Sequence, residues 1–248
     1  MTRKTRSSRR LGPAAFCRMD SPLLAAARNR IRLGRVACAA SLVVAGGTLA
    51  YGFVFGLWRS PLQGLYAAVK LPALFATVIA ASGLLNTMLA QVLGARLALR
   101  QVCLLMLLGM AVASAILGAL SPVVLFFVLQ VPPPDPRALG LPTEHPDVAA
   151  SMRVFWLLLL PHVAVIGFAG LVGNIRLYRL LREAVPSRPL ALRVMAAWII
   201  VTGFVGCELS WLFSPFLCKP TFPPHFFART YFEGNFYEHI YHALRELL

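Results

Sequence analysis

The chain has 248 residues, 58% of them hydrophobic and 13% charged, with a mean hydropathy of +0.72. An ordinary soluble domain is roughly 45–50% apolar and about 25% charged, so this composition excludes one and points to a protein embedded in a bilayer. The net charge of +15 is uneven: ten of the 24 Lys and Arg residues precede residue 36. Beside a first span such a cluster meets anionic lipid and sets orientation, which is preferred to nucleic-acid binding.

Residues 1–19 are rich in Arg and Ser and read as a disordered basic tail, with Met19 a second candidate start. Ser8-Arg9-Arg10 is a weak twin-arginine pattern, but the apolar segment that follows is distant and too long for a signal-peptide core, so an uncleaved anchor is expected. Asp20-Ser21-Pro22 carries a capping oxygen and an early proline, so residues 20–35 are expected to form a basic helix on the cytoplasmic membrane surface or a solvated extension of the first span.

Five apolar stretches follow, at about 36–57, 66–89, 101–129, 153–173 and 191–213, within a membrane domain of residues 36–217. Each is near the roughly 20 residues that a helix needs to cross a bilayer core. The first is rich in Gly, and Gly52 and Gly56 form a G-x-x-x-G that lets helices approach closely; packing within the monomer is preferred to dimerisation. The second holds Lys70 and Pro72 in its first turns and Asn86 near its far end. Pro72 and Pro215 read as punctuation at helix ends, and Pro122 as a bend in the third span. The proline-rich loop 130–152 reads as a semi-rigid connection. Pro161 and His162 lie in the fourth span and Glu208 in the fifth.

Seventeen Lys and Arg residues fall before the first span and in the loops 90–100 and 174–193, against seven elsewhere. Cytoplasmic loops carry the basic excess, so the expected fold is an all-α, five-span helical bundle with a cytoplasmic N-terminus and the C-terminus outside. The expected location is the bacterial inner membrane. In the tail, 218–248, Asn235 and Glu238 have the spacing of a capping box. Phe236, Ile240, Tyr241 and Leu244 share a face, with Tyr237 beside them. Residues 235–247 are therefore expected to form an amphipathic helix, lying on the outer leaflet, packed on the protein itself, or docking a partner.

By depth, Lys70, His162 and Glu208 share the outer half of the membrane, because each is reached from the same side. A carboxylate inside a span needs a partner, protonation or water. A structural interhelical bridge is preferred to an ion relay or polar substrate pocket. Cys17, Cys38, Cys103, Cys207 and Cys218 show no metal-ligand spacing and read as small packing residues without an internal disulfide. No catalytic, cofactor or metal motif emerges, so a non-enzymatic scaffold or subunit of a membrane complex is expected. Its partners would be the bilayer, anionic lipid, and other membrane proteins or further copies of the chain. The alternative is a small-solute or proton-coupled transporter built around Glu208.

Several segments carry a resemblance: Val69-Lys70-Leu71-Pro72, Ser121-Pro122 with Leu125-Phe126-Phe127, Gly203-Phe204-Val205-Gly206 running to Trp211, Pro215-Phe216, and Gly234-Asn235-Phe236-Tyr237. Over roughly residues 25–248 the chain resembles a group of uncharacterised bacterial polytopic membrane proteins, best populated in cyanobacteria. They are sometimes labelled actin-binding WH2-domain proteins, a label at odds with their apolar spans. The group has Arg before the Pro-Phe pair where this chain has Ser214. The resemblance implies a multi-span fold and adds no mechanism.

Overall fold

The computed structural model describes residues 33–141, 145–214, 216–227 and 236–247. Those residues form α-helices, one 3-10 turn and connecting segments: α1 (Leu33–Gly56), α2 (Pro61–Val92), α3 (Leu99–Gln130), the 3-10 turn Pro136–Ala138, α4 (Pro146–Ala184), α5 (Arg188–Leu212) and α6 (Phe236–Leu247). The first five are long and apolar enough to cross a membrane. The expected tail 1–19 and most of the surface helix 20–35 lie outside the described residues, as does the cap at Asn235.

The helices outrun the apolar stretches that mark them. α2 and α3 are 32 residues each and α4 is 39. Intrahelical hydrogen bonds continue past the point where side chains turn polar, so hydropathy marks the apolar middle and caps mark the ends. Ser60 begins α2, its hydroxyl accepting from Gln63 N at 3.1 Å with Pro61 in the first turn. Ser187 does the same for α5, accepting from Leu190 N at 3.4 Å. After α2, Gly94 takes a φ of +94° that L side chains rarely adopt, which turns the chain toward α3. Pro72 lies well inside α2, contrary to its expected place at a helix end, because the cap at Ser60 starts the helix earlier. α3 and α4 likewise continue through Pro122 and Pro161.

Successive helices alternate in direction. One end of the bundle, the base, holds Ala90, Ala95, Val102, Leu181, Val194 and Trp198 in a shared apolar cluster. At the other end, the cap, Phe55, Trp58, Ala138, Phe155, Trp156 and Leu217 meet. α1 lies against α2 and α3, α4 packs on α3, and α5 packs on α2. Close helix approach depends on small residues. A Cβ at Gly52 would fall 2.6 Å from the Ala67 carbonyl oxygen, and one at Gly56 would fall 2.6 Å from that of Gln63, both on α2. At Gly47 a Cβ would overlap the Ser114 carbonyl of α3. Leucine, isoleucine and phenylalanine side chains stand exposed around the outside, among them Leu84, Phe126, Leu157, Ile200 and Phe204. In water this would be an aggregating surface, whereas in a bilayer it is the solvated one.

Candidate functional site

Of the three polar residues singled out in the spans, His162 and Lys70 have different partners and Glu208 joins neither. His162 of α4 is buried against α1, its Nδ1 3.0 Å from the Tyr51 hydroxyl. Its ring stacks on Phe55 with centroids 3.6 Å apart and planes 7° from parallel, and on Tyr51 at 5.2 Å. This joins α4 to α1, although α2 and α3 lie between them in the chain. Lys70 of α2 is fully buried, with Nζ 4.9 Å from the centroids of both Phe226 and Phe227. Those rings stand nearly perpendicular and form two walls around the ammonium. Glu208 lies on α5 beside Cys207 and one turn beyond Phe204, on which Tyr237 of α6 stacks.

Lys70 belongs to a larger arrangement that the sequence did not reveal. Residues 216–227 fold back over the cap end of the bundle instead of trailing away from it. Arg59 Nη2 donates to the Phe222 carbonyl at 2.7 Å, and Gln63 Nε2 donates to the Phe216 carbonyl at 3.2 Å. Gly140 N donates to the Thr221 carbonyl at 2.9 Å, and Trp58 Nε1 to the Pro132 carbonyl at 2.9 Å. Tyr66 meets Phe226 edge to face at 5.3 Å. The α1–α2 turn, the loop after α3 and the tail are thereby tied into one layer. Irregular backbone must find donors and acceptors if it is buried, and here side chains from α2 and the preceding turn supply donors.

Cys218 sits at the centre of this layer, buried, with a φ of +60°. Its Sγ is 3.5 Å from the Pro223 carbonyl oxygen, to which the thiol can donate, and 3.8 Å from His225 Nδ1. Burial pushes the thiol up from 9.0 to about 11, against the pull of the Arg59 and Lys70 cations. The protonated thiol is therefore held through neutral pH and gives stability that is present below pH 9 and lost as pH rises toward 11. Alkylation of Cys218 in detergent, followed by mass spectrometry, should rise with a midpoint near pH 11 in the folded chain and near 9 once SDS has unfolded it. A folded-state midpoint at or below 9 would contradict this environment.

A second polar node lies toward the base. Asn86 Nδ2 donates to Thr202 Oγ1 at 2.8 Å, joining α2 to α5, and Trp198 Nε1 donates to the Asn86 carbonyl at 2.8 Å. Sequence reasoning noted Asn86 but missed Tyr51, Arg59, Gln63, Trp198 and Thr202. The available signal was a polar or amphipathic residue within an apolar run, at Tyr51 and Thr202. Among the described residues no three His, Cys, Asp or Glu side chains gather in a way that would hold a metal ion.

The fold is that of an all-helical protein with five helices long and apolar enough to cross a membrane. No family model, no curated protein and no solved structure matches the chain.

Proposed function

We propose that the chain is a non-enzymatic integral protein of the bacterial inner membrane, with its N-terminus in the cytoplasm, acting as a scaffold or subunit of a membrane complex and belonging to the bacterial polytopic group that it resembles. The observation that carries this reading is the use made of the buried polar side chains. Asn86 bridges α2 to α5, His162 bridges α4 to α1, and Gln63 and Arg59 hold the tail against the cap. Each of these side chains fixes one element against another. A carrier needs polar groups that change partners between two states, whereas a scaffold needs groups that hold one arrangement. The exposed apolar surface and the basic N-terminal segment supply the bilayer and its anionic lipids as partners.

Crosslinking in native membranes, followed by purification in mild detergent, tests the assembly. A stoichiometric partner is the expected result, and recovery only as a lone monomer overturns it. Reporter fusions after residues 62, 96, 140, 182 and 248 test orientation. They should read outside, inside, outside, inside, outside, and a cytoplasmic signal from the last would reverse the assigned sidedness of the C-terminus.

A further inference from the structure

Glu208 is the only charged residue in the outer turns of α5. Among the described residues it makes no hydrogen bond and no ion pair; His162 is engaged with Tyr51 and Lys70 with the tail phenylalanines. A carboxylate on a lipid-facing helix is unfavourable unless something polar shields it. The fold brings one element to that place. α6 packs against α4 and α5. Tyr237, its second residue, stacks on Phe204 with centroids 6.5 Å apart and planes 22° from parallel. Phe204 and Glu208 are four residues apart on α5 and so share a face. Tyr237 therefore sits about one helical turn from Glu208, over the same face of α5.

We propose that α6 is the partner of Glu208: the C-terminal helix folds back against α4 and α5 as a strap, and its first turn covers the carboxylate. Three features fit this role. Tyr237 offers an apolar ring to Phe204 and carries a polar hydroxyl tip, the division of character that suits the membrane boundary. The first turn of α6 also presents its positive helix end, which it shares with its own Glu238. The ring contact is shallow: Phe204 remains 59% exposed and Tyr237 50% exposed, so this part of the seat opposes release only weakly. α6 is thus a displaceable cover whose departure opens Glu208 to lipid or to another helix. The strap is independent of whether the protein assembles with a partner.

Labelling of the full-length chain in membranes with a lipid-soluble carbodiimide reads the cover directly, because the reagent attacks carboxyl groups reached from the apolar phase. Glu208 should be modified at least about fivefold faster in Tyr237→Ala than in wild type, with Tyr237→Phe in between. Equal rates in wild type and Tyr237→Ala overturn the strap. A second measurement covers the case in which Tyr237→Ala does not fold. In a chain carrying Cys207→Ser, Phe204→Cys and Tyr237→Cys, mild oxidation in membranes should join the two introduced thiols. Failure to join them while both remain free to alkylate also overturns the proposal.

Discussion

Gly47→Val is expected to disrupt the bundle, while Gly46→Val next to it is expected to be nearly silent. A side chain at Gly47 would overlap the carbonyl of Ser114, and the same crossing brings Gly118 of α3 against the Gly47 backbone. A carbonyl in a helix cannot rotate away as a long side chain can. α1 and α3 must separate, and the contacts along their crossing loosen together. Overpacking usually costs about 1–3 kcal/mol, and a clash with backbone belongs at or above the upper end. Gly46 is exposed, and a Cβ there would meet nothing within 4 Å. The measurement is unfolding of both variants in detergent by stepwise addition of SDS, followed by far-ultraviolet circular dichroism. Similar transitions for the two variants would mean that α1 and α3 do not cross at Gly47.

Trp198→Ala should destabilise the base end by about 3–5 kcal/mol, the usual range for removing a large buried aromatic. Trp198 is 2% exposed and is the largest of the fully enclosed side chains among the described residues. It packs in the cluster shared by α2, α3, α4 and α5, and its indole N–H donates to the Asn86 carbonyl. Among the described residues no other aromatic is fully buried in that cluster, with Tyr178 packed at its edge, so alanine would leave a cavity that the helices close by shifting. Trp198→Phe keeps most of the packing and loses the hydrogen bond, so its loss should be about 1–2 kcal/mol. Asn86→Leu removes the link to Thr202 on the same pair of helices, and its effect should add less than fully to that of Trp198→Ala because the residues touch. Chemical unfolding of the single and double variants checks both statements. Equal stability of wild type and Trp198→Ala would remove the base cluster as a determinant of the fold.

The five helices were legible because a bilayer imposes one simple demand, an apolar run of sufficient length, and each run here meets it. Their ends were less legible. α4 begins at Pro146, within a stretch whose six prolines read as an extended loop, because proline is compatible with a first helical turn. The close-packing role of Gly52 and Gly56 follows from residue size, and both lie where α1 approaches α2. Gly47, which has the tightest approach, stood in no motif of its own, since its significance depends on where α3 places Ser114.

Composition and periodicity by themselves determined that the protein is helical, apolar and built from five long elements, because those properties follow from each segment's own side chains. Only the tertiary structure decided how the polar residues are partnered. Depth placed Lys70, His162 and Glu208 at one level, but depth is a single coordinate, and rotation about each helix axis sets the others. That rotation turns His162 to Tyr51 and Phe55, and Lys70 to a tail more than 150 positions away in the chain. The fold-back of residues 216–227 depends on pairings such as Arg59 with Phe222 and Gln63 with Phe216. A sequence carries no local trace of such pairings, since a backbone carbonyl is the same acceptor at every position and only the packed bundle selects which one a distant side chain meets.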